Sequence, residues 1–542
     1  MKEFEKRFNE DFVYLRAFMR SVEHYASRNA LACTTRNRTW TYEELNRECN
    51  KLAHALAGEG LKKNDVVMCS LFNTAEYVFS WIGIQKTGGV FSPINFRLAE
   101  GEIALHIEDS EPRVFIFDSD LKEIVEKAVG LSRHKPEKLV MVGEGEPFEG
   151  VISYGDFVEG KSEKDIFPSD KGPFEEIVRL YTSGTTGAPK GVPLNSVNNL
   201  MRSYDVIMHF PLNPLDKTMN MTPWFHAGGL HSGGPCPSLH AGAELVALKA
   251  FTPRAVLDSV EKYGLTFLIG APANLEFLAN TQTREPRDIS SLKGIVTMGA
   301  PLSKEACLRY HEHLTPNIFN GYGTTETFWN SFLRPYELPG KAGTAGRSCT
   351  DDRIRVVKIY EDNAQAEPGD LVAADGQEEG EVIIQSLKAP YRYHNKPEED
   401  RKHYYKGWYY TKDIATWDQE GFITISGRMD DMIISEGENI HPAQIESVVM
   451  EHPQVEDCIV VGIPDKVRGE VLVAYVIKNG ANLTGKELYK FLTNHPGLAK
   501  FKRPRYIKFT DQLPFTPTGK KKHFVVRQQA IQDLERGELK RH

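Results

Sequence analysis

Apolar and polar positions along this chain switch repeatedly between strand and helix periods. Ile177, Val178 and Leu180 form a short apolar run that reads as a strand. Leu45, Leu52, Ala53 and Leu56 recur at helical spacing behind Thr41, whose hydroxyl suits an N-cap. Residues 65–71 read as an apolar strand, and residues 75–86 as a mostly apolar helix that Gly88-Gly89 closes. Further strands are expected at 90–94, 114–117 and 317–319, and one from Val296 to a turn at Gly299-Ala300-Pro301. Strands alternating with helices predict an α/β fold, with largely parallel sheets covered by helices. Later, Pro442 opens a helix, and residues 459–461 and 471–477 read as strands of a small α/β domain. A chain of 542 residues is too long for one ordinary core, so two or more domains are expected.

The stretch from Tyr181 to Val192, YTSGTTGAPKGV, follows the strand at 177–180. Its glycines permit positive φ and leave no Cβ in the way of a ligand. Its threonines and serine supply hydroxyls, and Lys190 supplies a cation. Such a loop can surround phosphate oxygens with N–H and O–H donors. It is too long, and too closely joined to Pro189 and Lys190, for a simple polar turn. The G-x-x-x-x-G-K-[ST] spacing is absent. Residues 480–486 match the first seven positions, but Glu487 stands where the hydroxyl belongs, and that match reads as chance.

Composition narrows the function. Hydrophobic residues at 40% and charged residues at 26% suit a soluble globular protein. A net charge of −8 without a basic tail argues against nucleic acid as a partner. Seven scattered cysteines without a C-x-x-C pair argue against a disulfide framework or a zinc site. The first 20 residues hold no apolar signal-peptide core, and no apolar run is long enough to span a bilayer. A cytoplasmic location is therefore expected. A homodimer is left open.

Further chemistry-bearing segments follow in order: TPWFHAGG at 222–229, NGYGTTE at 320–326, WYYTKD at 408–413, SGRMDD at 426–431, SEGENIHP at 435–442 and LPFTPTGK at 513–520. In the second, Tyr322 offers a flat face for adenine, Asn320 a bond to a purine edge and Thr325 a bond to a phosphate oxygen. Glu326 offers a hard oxygen for Mg²⁺. In order and spacing, over roughly residues 35–525, these segments resemble the adenylate-forming enzymes. That superfamily comprises acyl-CoA and aryl-CoA synthetases, firefly luciferase and the adenylation domains of peptide synthetases.

The resemblance implies roles. Lys520 is implied as the catalytic lysine, acting with Thr182 and Glu326, and Glu326 as the Mg²⁺ ligand. ATP or AMP is implied to sit on Thr182, Ser183, Gly184, Thr185, Thr186 and Lys190, along Gly299, Ala300 and Pro301, and against Asn320, Gly321, Tyr322, Gly323 and Thr325. Asp413 and Arg428 are implied to hold the ribose, and Gly437 to let the pantetheine arm of coenzyme A pass. Phe225, His226, Ala227, Gly228, Gly323, Phe328 and Trp329 are implied to line the acyl site. His226 lies where amino-acid-activating relatives carry an aspartate for the ammonium, which disfavours an α-amino acid. Asp430 matches the hinge between domains at 1–429 and 430–542, the smaller of them mobile. Three positions depart from the pattern: Ser196 replaces a histidine, Lys412 a glycine, and Glu436 a small residue.

The function expected is an ATP-dependent, AMP-forming carboxylate–CoA ligase on an aromatic, alicyclic or medium-chain acid. The alternatives are an adenylating enzyme that does not use coenzyme A and a nucleotide-binding relative that has lost catalysis.

Overall fold

The computed structural model describes residues 1–168, 171–182, 189–300, 302–360, 364–429, 431–480, 482–514 and 521–542. Among them the chain forms four sheets. A seven-stranded sheet is parallel through Val151–Ser153, Lys138–Val142, Val114–Asp118, Val66–Ser70, Val90–Pro93 and Glu176–Thr182, and ends on the antiparallel strand Lys190–Asn195. A nine-stranded sheet is parallel from Ile318–Thr324 to Asn29–Cys33 and carries antiparallel strands at both edges. The expected α/β class with parallel sheets is therefore observed.

Local rules account for the elements. Tyr42–Gly58 starts on a capping box, in which Thr41 and Glu44 satisfy each other's backbone N–H groups. Every residue of the helix Ala75–Lys86 is buried, which explains its apolar run: it packs between layers and has no solvent face. Pro442 takes the first helical position of Pro442–Met450, where its missing N–H costs nothing.

Two further sheets complete the chain. Arg353–Val357, Gly380–Gln385, Tyr404–Tyr405, Trp408–Trp417 and Ile423–Arg428 form a sheet whose pairs are all antiparallel, an element no periodicity announced. The smaller C-terminal domain builds its own mixed sheet from Ile433–Ser435, Glu438–Ile440, Val455–Asp465, Gly469–Lys478 and Tyr506–Phe509. Its core is separate, with Ile445, Val449, Val460, Leu472 and Leu488 among its buried residues. No helix among the described residues is long and apolar enough to cross a membrane.

Candidate active site

A cavity of 1360 Å³ runs between the sheets and the C-terminal domain, and residues of the segments at 222–229, 320–326, 408–413, 426–431 and 435–442 line it. Thr182 and Lys190 stand opposite each other across the antiparallel pair that closes the seven-stranded sheet, and both line the cavity. Residues 183–188 lie outside the described residues, so Ser183, Gly184, Thr185 and Thr186 do too, as do Pro301, Asp430 and Lys520. Lys190 Nζ is 2.6 Å from Glu399 Oε2. Burial pushes the Glu399 carboxyl up, but the Lys190 and Lys402 ammoniums outweigh it and hold it down at about 2. The cation beside the loop thus has a protein partner already.

Tyr322 and Asp413 meet in the cavity from different sheets. The Tyr322 hydroxyl donates to Asp413 Oδ2 at 2.6 Å, and Arg428 Nη1 donates to Oδ1 at 2.5 Å. The second contact follows from register, because Asp413 and Arg428 pair directly across their antiparallel strands. Burial, and then the Asp413 carboxylate, raise the Tyr322 pKa well above the ordinary phenol value, so the ring carries a neutral hydroxyl. Lys412 holds φ +64, the left-handed backbone a glycine takes easily. The turn that aims Asp413 therefore survives the replacement, with the Lys412 N–H donating to Glu381 at 3.0 Å.

The segment 320–329 forms the cavity wall. Asn320 donates to the Thr344 carbonyl at 3.2 Å. A Cβ on Gly323 would lie 1.4 Å from the Phe328 carbonyl oxygen, so the hairpin itself requires this glycine. Gly299, with φ +81, has open space where a Cβ would stand, and Ala300 lies beside it on the cavity. Glu326, only 5% exposed, accepts the Tyr393 hydroxyl through Oε1 at 2.6 Å.

Arg202 anchors this wall from behind. It is fully buried, and its Nη2 donates to the carbonyls of Thr325, Glu326 and Lys388 at 3.0–3.1 Å. Burial lowers its pKa to about 9. Nothing local marks Arg202, Tyr393 or Glu399 in the sequence, since their partners come from distant segments.

The acyl side is apolar. Phe225 lies edge-on to Phe96, with centroids 5.2 Å apart, and 4.3 Å from the His226 ring. Ala227 and Gly228 line the same surface, where a Cβ on Gly228 would come 2.9 Å from Met298 Cε. Phe328 and Trp329 stack at 4.9 Å and 15° and are nearly fully buried. Lys388 holds the Trp329 carbonyl while bridging Asp205 and Asp352. In the nearby group Asp205, His209 and Cys349, Asp205 is therefore already paired with an ammonium. His231 is a core histidine between Asn199 and the Ala227 carbonyl.

The C-terminal domain closes the cavity with the tight turn at Glu436-Gly437. Both residues have positive φ, +54 and +80. Space is open around Gly437 where a Cβ would stand. Glu436 turns away and pairs with Arg468 at 2.6 Å and Arg505 at 3.5 Å. The next residue, Glu438, is buried against the acyl side, with Oε2 3.0 Å from Asn95 Nδ2 and 3.1 Å from His226 Nε2. Arg97 approaches Oε1 at 3.5 Å. Burial raises the Glu438 pKa, but His226, Arg97 and Lys502 together leave it below the ordinary carboxylate value. Its position directly after Gly437 was the available sequence signal. Lys521, the neighbour of Lys520, is tied to Glu446 and Asp457 of the C-terminal domain at 3.2 and 2.9 Å.

Comparison with known proteins agrees with this geometry. A family model described as AMP-binding enzyme matches residues 18–387, and one described as AMP-binding enzyme C-terminal domain matches residues 444–520. The chain is 31% identical to feruloyl-CoA synthase of an Amycolatopsis species over 484 residues, covering 89% of this chain and 92% of that one. It is 30% identical to a fatty acid–[acyl-carrier-protein] ligase of Streptomyces coeruleorubidus over 505 residues, covering 92% and 93%. Among solved structures, a double mutant of o-succinylbenzoate CoA synthetase from Bacillus subtilis, bound with its product analogue, superposes with a TM-score of 0.82. The identity is 25%, and the match covers 94% of this chain and 98% of that one. Two matched domains, a cleft between them and CoA-ligase relatives along nearly the whole length place the chain in the AMP-binding enzyme family, as an acyl-CoA synthetase of the AMP-forming acyl- and aryl-CoA ligases.

Proposed function

We propose that this synthetase activates an apolar aromatic, alicyclic or medium-chain acid, with the ribose of ATP held on Asp413 and Arg428. The observation that carries the reading is the convergence of Asp413, Tyr322, Phe225 and Gly437 on one cavity. A carboxylate carbon is a poor electrophile, because its leaving group would be an oxide. The acid's oxygen attacks the α-phosphorus of ATP and expels pyrophosphate, giving an acyl-adenylate. The coenzyme A thiol then attacks the acyl carbon, loses its proton, and AMP leaves with the bonding electrons. The first step builds charge on phosphate oxygens, where fixed donors and cations lower the barrier most. Thr182, Ser183, Thr185, Thr325 and Lys520 are the donors in this reading.

Glu326 fits Mg²⁺. Its carboxylate is a hard oxygen donor on the cavity that accepts one hydrogen bond among the described residues, from Tyr393, and Mg²⁺ takes one or two carboxylates along with phosphate oxygens and waters. Mg²⁺ bound there would neutralise charge on the phosphates.

The walls made by Phe225, Met298, Phe328 and Trp329 suit an apolar acyl group, and the feruloyl-CoA relative supports an aromatic one. Glu438 is already engaged by His226, Arg97 and Asn95, which disfavours an ammonium-bearing acid. We also infer a boundary near Asp430 between domains at 1–429 and 430–542, with rotation of the smaller domain between half-reactions. The seven cysteines are all free and buried, which supports the cytoplasm as its compartment.

The test is AMP formation with acetate, hexanoate, benzoate, cyclohexanecarboxylate and palmitate, each with and without coenzyme A. Benzoate, cyclohexanecarboxylate or hexanoate should lead, with thioester formed only when coenzyme A is present. Preference for acetate or palmitate overturns the acyl assignment. Adenylate made but never passed to coenzyme A favours a carrier-protein thiol as acceptor.

A further inference from the structure

Besides the contact of Glu438 with His226 and Arg97, the two domains meet through a second charged cluster on the same cavity, to which no chemical role is given above. Glu102, in the helix Glu100–Ser110, lies against Lys502 of the C-terminal domain, 400 residues away, with Nζ 2.5 Å from Oε1. The side chains are 5% and 6% exposed. Three groups of the C-terminal domain converge on this one carboxylate. Lys502 and Gln444 Nε2 reach Oε1, and the Ala499 N–H reaches Oε2 at 3.1 Å. Gln444 in turn accepts from Lys502 at 3.0 Å, and the Gly101 N–H donates to the Pro496 carbonyl at 3.0 Å.

We propose that Glu102 and Lys502 are positioning residues for thioester formation, a charge latch that holds the C-terminal domain where Gly437 and Glu438 sit on the acyl site. The proposal rests on the reading in which that domain takes two orientations. Glu102 is set before docking, because its Oε2 already accepts the Ala99 N–H of its own helix start at 3.0 Å. Little side-chain freedom is therefore lost when the domain arrives. Gln444 lies in the helix Pro442–Met450, whereas Ala499 and Lys502 share one short turn, so the three groups reach one carboxylate only when both segments are docked together.

A buried ion pair suits a contact that must also open. The cost of taking both charges out of water roughly cancels their attraction, so the closed pose is selected without being made permanent. Removing one partner is different, because it leaves a charge that resists burial and works against docking. The latch also reaches the acyl site electrostatically, since Lys502 is one of the cations that favour the ionised Glu438 carboxylate.

A double-mutant cycle on the full-length enzyme tests this. The variants are Lys502→Met, Glu102→Gln, the double variant and Lys502→Arg. Two rates are read: pyrophosphate release without coenzyme A, and conversion of a chemically made acyl-adenylate to thioester. Thermal unfolding checks the fold. Lys502→Met should slow the thioester step by roughly tenfold or more, with adenylation unchanged or faster. Adding Glu102→Gln should recover most of that loss, because no uncompensated charge remains. Lys502→Arg should retain most of the rate.

Thioester formation at the wild-type rate in Lys502→Met overturns the latch, as does equal loss of both half-reactions. Failure of the double variant to recover, with a raised KM for coenzyme A, makes Lys502 a contact of coenzyme A and also overturns it. A wild-type enzyme that never passes acyl groups to coenzyme A sinks the functional reading itself. Insensitivity of the variants beside an active wild type sinks the latch alone.

Discussion

The Tyr322 hydroxyl donates to Asp413 at 2.6 Å across a junction between two sheets, the nine-stranded one and the antiparallel one beside it. The bond fixes the proposed adenine-facing ring relative to the proposed ribose-holding carboxylate. Asp413→Asn should therefore weaken AMP binding by about tenfold to a hundredfold, since it removes a charged acceptor from Arg428 as well as from the ligand. Tyr322→Phe, which loses the hydroxyl alone, should cost less. Calorimetric titration of AMP checks both. Unchanged affinity in Asp413→Asn makes the pair a sheet junction and nothing more.

Lys412 occupies left-handed backbone, which costs a non-glycine residue about 1 kcal/mol or more. Lys412→Gly relieves that strain but adds disorder to the unfolded chain worth about 0.5–1 kcal/mol. The two nearly cancel, so its unfolding free energy should stay within about 1 kcal/mol of wild type. Lys412→Val, β-branched at the same φ, should lose about 1–3 kcal/mol. Urea unfolding of both variants measures this. A loss in the glycine variant as large as in the valine one would assign the stability to the Lys412 and Glu381 side chains, 3.8 Å apart.

Glu326→Gln should weaken Mg²⁺-dependent turnover far more than metal-free AMP binding, because an amide is a much poorer ligand for a hard cation. A magnesium titration of activity beside an AMP binding isotherm separates the two. Wild-type behaviour at every Mg²⁺ concentration would leave Glu326 as the acceptor of Tyr393 only.

Lys520→Ala should abolish adenylate formation while a chemically made acyl-adenylate still becomes thioester. The lysine is assigned to charge at the α-phosphate, which the second step does not rebuild. Rapid-quench assays of each half-reaction decide it, and equal loss of both refutes the assignment.

Asp430→Pro should fix φ near −65° and trap one domain orientation. One half-reaction should continue near its normal rate while the other collapses, with circular dichroism confirming the fold. Normal rates in both would remove Asp430 as the hinge.

The sequence by itself determined the parts of this protein that depend on neighbours along the chain. The helix Ala75–Lys86, the Thr41 cap, the Pro442 helix start and the strands Val66–Ser70, Val90–Pro93, Val114–Asp118 and Glu176–Thr182 follow from periodicity and from capping chemistry. The turn-forming glycine at 323 was legible for the same reason, since glycine content is written residue by residue. Tertiary structure decided which charges meet. Lys190 reads locally as a free cation and pairs with Glu399. Lys502, between Lys500 and Arg503 in sequence, lies buried against Glu102. Glu438, given no role by the sequence, closes on His226 and on Asn95, 343 residues away in sequence. Hydrophobic periodicity reports which face of an element is buried. A buried charge is stable only beside its partner, and that partner is chosen by how the sheets and domains dock.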